Sequence, residues 1–193
     1  EEARARLALS EVRWVPSGQP GHRGAPVAPA QDRLAMLELA IGNDPHAVLD
    51  AAELAGPDPT YTANTLARLR RELGHDLPLA LIIGSDQFTA LHTWREWQRL
   101  FDLAHIAVAK RPGHAIDARR LPAALAAAYA ARHADRIGDQ PAGRIVVFPM
   151  TVLNISSTAI RAAIAAGRSA RHLLPDNVLA YIQSRHLYEA ATT

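Results

Sequence analysis

The sequence predicts an α/β fold built on a mainly parallel sheet with helices on both faces. Three observations carry that expectation. Short apolar, β-branched runs alternate with longer helix-like runs along the whole chain. The clearest short run, Leu79-Ala80-Leu81-Ile82-Ile83, is apolar on both faces, as a central parallel strand is. Between the runs stand recognisable helix starts and stops.

Taken in order, Glu1–Leu9 reads as the later part of a helix, so a segment is expected before Glu1. Val12–Val15 is a strand ended by Pro16, followed by a Gly- and Pro-rich loop over Ser17–Ala28. Pro29 opens a helix where its missing N–H costs nothing. Leu34, Leu37 and Ile41 form that helix's inward stripe, and Gly42-Asn43 stop it. Val48-Leu49 is a strand, and Thr62 is placed as N-cap of a helix ending at Gly74, with Leu66, Leu69 and Leu73 inward. Thr93-Trp94-Arg95-Glu96 has the form of a capping box and predicts a helix from Trp94 to about Leu103. Strands are expected at Ile106–Ala109 and Ile145–Phe148, with helices at Leu121–His133, Ser157–Ala166 and Pro175–Arg185.

The bulk composition bounds the function. With 193 residues, 49% of them hydrophobic, the chain suits a single domain spanning 1–193. Net charge is +2 and almost all the positive charge is arginine, Lys110 being the only lysine. Basic residues are scattered rather than interleaved with aromatics, so no nucleic-acid partner is expected and an anionic small molecule fits better. The absence of cysteine excludes disulfides, thiolate metal sites and cysteine nucleophiles. No apolar run approaches the roughly 18 residues of a membrane span. The expected location is the cytoplasm.

In open parallel sheets ligands bind beyond the carboxyl ends of strands, so the loops that follow strands are the places to look. After the last strand come Asn154, Ile155, Ser156, Ser157 and Thr158, and then a helix. Serine and threonine there can simply cap the helix. Arg161, however, sets a cation near the positive end of the helix dipole, and a bound anion would remove that conflict. Gly84-Ser85-Asp86-Gln87 follows the central strand: Gly84 permits close approach, and Asp86 can accept from ribose hydroxyls or belong to a helix cap. Lys110-Arg111-Pro112-Gly113 is either a phosphate-binding turn or a solvated one, and Gly18–Gly24 carries His22 and Arg23 on a flexible loop. The Trp94 ring can stack on a flat heteroaromatic ligand or pack against Trp97 or Leu91. His92 and His105 are read as structural, and no HExxH or paired-acid motif occurs.

Read together, these loops resemble a known family. Residues 155–161 (ISSTAIR) look like the ISSTxIR motif of the adenylyltransferase branch of the nucleotidyltransferase superfamily. Residues 59–66 (PTYTANTL), 81–86 (LIIGSD), Trp94 with 110–113 (KRPG), and the closing stretch from Leu174-Pro175 through Tyr181 to Tyr188 resemble, in order, further segments of the bacterial nicotinate mononucleotide adenylyltransferases. The resemblance implies a Rossmann-like nucleotidyltransferase fold. It implies transfer of the adenylyl group of ATP to nicotinate mononucleotide, giving nicotinate adenine dinucleotide and pyrophosphate in NAD biosynthesis, with Mg2+ accompanying ATP. The alternatives are an adenylyltransferase for nicotinamide mononucleotide and a non-catalytic nucleotide-binding relative.

It also implies roles. Ile155, Ser156, Ser157, Thr158 and Arg161 would hold ATP, with Gly84 and Asp86 at its ribose. Thr62, Trp94 and Tyr61 would form the nicotinate side, and His22, Arg23 and Arg111 would hold phosphates. Arg95 departs from the family, standing where many members carry tyrosine. The family's Gly-rich turn (GGxFDPxHxGH), whose histidines polarise the ATP phosphates, does not occur in the chain, so its catalytic histidines are expected before Glu1.

Overall fold

The structure, a computed structural model, describes residues 1–20, 27–56, 59–110, 116–151 and 153–190. In chain order the elements are α1 (Glu2–Leu7), β1 (Val12–Trp14), β2 (Gln19–Pro20), α2 (Ala30–Ile41), β3 (Ala47–Leu49), β4 (Pro59–Thr60), α3 (Thr62–Leu73) and β5 (Ala80–Gly84). Then follow α4 (Ser85–Thr89), α5 (Leu100–Leu103), β6 (His105–Lys110), α6 (Ala123–Arg132), β7 (Ile145–Pro149), α7 (Ser157–Ala165) and α8 (Asp176–Ser184). All strand pairings are parallel, and they fall into the orders β1-β3, β2-β4 and β5-β6-β7. The α/β class with a parallel sheet is therefore what the chain adopts.

The described residues group into two compact units. One comprises Glu1–Ser10 and Tyr61–Val152. Its sheet is centred on β6, where Val108 sits between Ile83 of β5 and Val147 of β7. Side chains alternate along β6, as the two-residue period of a strand demands. Ile106 and Val108 enter a cluster with Phe88, Leu91, Leu100 and Leu125, whereas Ala107 and Ala109 face the other way toward Phe148, Ala3 and Leu7. Helices thus cover both faces of this sheet, and β6 is buried from His105 to Ala109, which explains its apolar centre Ile106–Ala109.

Two buried polar residues tie the end of this unit together. Arg70 on α3 is 5% exposed, and its guanidinium donates to the carbonyls of Leu103, His75, Leu77 and Pro141. His105, fully buried, accepts from the Arg144 N–H at Nδ1 (3.1 Å) and meets the Gln140 carbonyl through Nε2 (2.7 Å). Those partners require the proton on Nε2, so the ring is neutral and structural, as expected.

The other unit comprises Glu11–Thr60 and Leu153–Thr193. It holds the β1-β3 and β2-β4 pairs. At Gly18 a Cβ would lie 2.0 Å from the Glu53 carbonyl oxygen, so only glycine permits that backbone approach. Helix α2 is held to α8 by polar contacts as much as apolar ones. Asp32, 4% exposed, accepts from the Tyr181 hydroxyl (2.8 Å) and Arg185 Nε (3.3 Å), and Asn177 donates to the Leu39 carbonyl (2.7 Å). The expected inward stripe of Leu34, Leu37 and Ile41 is only half-buried.

One expected helix does not form. Residues 94–103 make a turn of 3-10 helix at Trp97–Arg99 and the single turn α5, with Trp94 extended. The Thr93 hydroxyl donates to the Ala90 carbonyl (2.7 Å) instead of capping forward, and Glu96 takes a left-handed φ of 54°. Both halves of the capping box are thereby spent elsewhere. Thr62 is likewise not the N-cap: it is the first residue of α3, and Tyr61 occupies the cap position without a side-chain bond.

Candidate active site

In the second unit, Ser156 is the N-cap of α7, extended at φ −135°, and its hydroxyl accepts from the Ala159 N–H at 3.1 Å. The capping reading of Ser156 is thus realised. It does not absorb the neighbours. Ser157 and Thr158 are the first helical residues, both exposed, and Ile155 beside them is 40% exposed, unusual for so apolar a side chain at a helix start. The Arg161 guanidinium turns back toward the helix start and donates to the Thr158 hydroxyl at 3.4 Å. A cation is therefore folded over the end of a helix whose first N–H groups are also positive. A bound anion would relieve that arrangement, and the hydroxyls of Ser157 and Thr158 add donors to it.

A second arginine joins this unit's positive charge. Burial pushes the Tyr188 phenol above its usual range, while Arg161 and Arg33 both pull it back. Arg33, on α2, also donates to the carbonyls of Ser17 and Gly18. It thereby braces the start of the Gly-rich loop. The expected phosphate contacts His22 and Arg23 lie farther along that loop, outside the described residues, as does Arg111. Nothing in the sequence marked Arg33 for this task, since an arginine on a helix face is ordinarily solvated.

In the first unit, β5 runs directly into α4 with Gly84 at its N-cap. The Gln87 side chain accepts from the Gly84 N–H at 3.2 Å. Asp86 does not cap: its side chain is exposed and its carboxylate lies over Gly84, where an added Cβ would be 2.5 Å from Oδ1. Glycine at 84 leaves room for the carboxylate that sits on it, and Asp86 presents its oxygens at the carboxyl end of a central strand. Lys110 ends β6 and accepts at its carbonyl from the Met150 N–H (3.1 Å).

The same unit brings two separate stretches together at the start of α3. The Arg95 guanidinium lies 4.6 Å from the centre of the Tyr61 ring. The Tyr61–Thr62 corner and the Trp94–Arg95 corner are therefore neighbours. Trp94 is half-buried and packs on the core cluster that includes Leu91 and Leu100, so its packing role is real. Among the described residues no three His, Asp or Glu side chains converge as a metal-ligand set. No helix among them is long and apolar enough to cross a membrane.

Comparison with known proteins gives the family. Residues 1–163 match the family model described as cytidylyltransferase-like. A protein of Dechloromonas aromatica named probable nicotinate-nucleotide adenylyltransferase is 49% identical over 191 residues, covering 97% of this chain and 88% of its own length. One of the same name from Marinobacter nauticus is 41% identical over 189 residues, covering 98% and 88%. Among solved structures, the nicotinic acid mononucleotide adenylyltransferase of Plasmodium falciparum, complexed with NaAD, superposes with a TM-score of 0.67 at 16% identity. That match covers 93% of this chain and 83% of the other. At such identity it speaks for the fold, which is the Rossmann-like nucleotidyltransferase architecture.

Proposed function

The chain belongs to the nicotinate-nucleotide adenylyltransferase family, and from that membership we infer that it transfers the adenylyl group of ATP to nicotinate mononucleotide. A 5′-phosphate oxygen of the mononucleotide attacks the α-phosphorus of ATP. The bond from that phosphorus to the bridging oxygen breaks, and pyrophosphate leaves with the electron pair. The product is nicotinate adenine dinucleotide, formed without a covalent enzyme intermediate. Such a transfer needs positioning and charge stabilisation rather than a protein nucleophile.

The observation that carries the reading is the start of α7, where Arg161 folds back on Thr158 over free helix N–H groups. In this reading Ser157, Thr158 and Arg161 hold the ATP phosphates, Ser156 keeps the helix start in shape, and Ile155 offers an apolar surface to adenine. Gly84 and Asp86 receive the ribose. Tyr61, Thr62 and Trp94 receive the nicotinate ring and its carboxylate. His22, Arg23 and Arg111 add phosphate contacts. Mg2+ enters as part of the nucleotide substrate.

The test is turnover by the full-length protein. With ATP, Mg2+ and nicotinate mononucleotide it forms equal amounts of nicotinate adenine dinucleotide and pyrophosphate, separated by chromatography. Faster turnover of the amide mononucleotide would overturn the substrate assignment, and absence of turnover with either would overturn the activity.

A further inference from the structure

Arg95 combines a fixed position against an aromatic ring with side-chain donors that are left unused. Arg70 spends its guanidinium on four carbonyls. Arg68 pairs with Glu72 at 2.7 Å, and Arg99 takes Glu96 at 2.8 Å. Arg95 reaches Glu96 only at 3.8 Å, beyond hydrogen-bond length, and its N–H groups donate to no described residue. Yet it is not a free surface chain: its guanidinium rests 4.6 Å from the Tyr61 ring centre, with 60% of the side chain exposed. An aromatic face holds a cation in place without consuming its in-plane donors. The result is a guanidinium positioned beside Tyr61, Thr62 and Trp94, paired only loosely with the exposed Glu96 carboxylate and with its in-plane donors still available.

Resting on the reading of those three residues as the nicotinate side, we propose that Arg95 is a specificity residue that selects a pyridine carboxylate over the uncharged carboxamide. The two acceptors share ring, ribose and phosphate, so only charge and one atom of the side group separate them. A guanidinium offers a charge-assisted, two-pronged hydrogen bond to a carboxylate and no comparable one to an amide. Tyr61 acts as a positioning residue, because it fixes where that charge stands.

The experiment compares both mononucleotides as acceptors with full-length protein. Arg95→Gln lowers kcat/KM for nicotinate mononucleotide roughly tenfold, the low end for one charge-assisted bond near solvent, and leaves the amide within about twofold. Arg95→Lys keeps part of the preference, Tyr61→Phe keeps all of it, and Tyr61→Leu loses it. Equal effects on both acceptors, or none, overturn the proposal. Trp94→Ala separates the two levels. If it weakens both acceptors while Arg95→Gln leaves their ratio unchanged, the nicotinate side stands and the Arg95 role falls. If neither Trp94→Ala nor Thr62→Val moves KM for either acceptor, the nicotinate side itself is misplaced and the Arg95 role falls with it.

Discussion

Arg161 Nη2 stands 3.4 Å from the Thr158 hydroxyl, so a cation leans toward the end of α7 where its charge is least welcome. Ser156 explains the helix start but not this arginine, which would lower the energy of the isolated fold by pointing the other way. The contact becomes reasonable once an anion occupies the space before Ser157. The separate duties of Ser156 and Ser157 are the first consequence to test.

Ser156→Ala removes the hydroxyl that accepts from the Ala159 N–H. Loss of such a cap costs about 0.5–2 kcal/mol of stability, readable in denaturant unfolding. Ser157→Ala, whose hydroxyl caps nothing, should leave stability within about 0.5 kcal/mol and raise KM for ATP. Equal destabilisation by both would mean the hydroxyls share a structural role only.

Gly84→Ala places a methyl 2.5 Å from Asp86 Oδ1. The carboxylate is the free end of a side chain and can swing away, so the fold survives while the acceptor moves. KM for ATP should rise roughly five- to tenfold, the scale of one hydrogen bond to a charged group. Asp86→Ala should match it, and the double variant should add little, since both act on the same carboxylate. Additive effects would separate Gly84 from Asp86.

Arg70→Ala leaves four carbonyls without the buried guanidinium that gathers them. Destabilisation of about 3–5 kcal/mol is expected by thermal or chemical unfolding. Arg70→Lys should recover little, because an ammonium cannot reach four separated carbonyls as a planar fork does. A variant as stable as the parent would show that those bonds are made to no net advantage.

Burial pushes the His105 imidazole below its ordinary 6.5; the Gln140 carbonyl raises it in part, and the Arg144 and Arg70 charges lower it further. A depressed histidine pKa means the unfolded state takes up the proton first as acid is added. Stability from this group is complete above about 6.5 and declines below it by up to about 1.4 kcal/mol per pH unit, until the folded-state ring titrates. His105→Gln should flatten the unfolding free energy between pH 6.5 and 5 relative to the parent. An unchanged slope would assign the acid sensitivity to other groups.

The sheet was readable because β5, β6 and β7 are apolar in the pattern that burial on both faces demands, and glycines at 42 and 74 do stop their helices. Helix starts were less secure. Thr93 and Glu96 satisfy the spacing of a capping box, yet the Thr93 hydroxyl had a nearer acceptor behind it at Ala90. The two-residue strands β2 and β4 are too short to show any periodicity. At the site, the α7 start announced itself through hydroxyls and a misplaced cation. Arg33, Arg70 and the Arg95–Tyr61 pair did not, because an arginine's partner is set by the fold when it lies far along the chain.

The account stands or falls most directly on ATP and adenosine binding to the parent and to Arg161→Ala, measured by calorimetry. It predicts that ATP binding weakens by about 1–3 kcal/mol, the value of a charged hydrogen bond, while adenosine binding is unchanged. Unaltered ATP affinity, or an equal loss for adenosine, would contradict the assignment of the α7 start to the ATP phosphates.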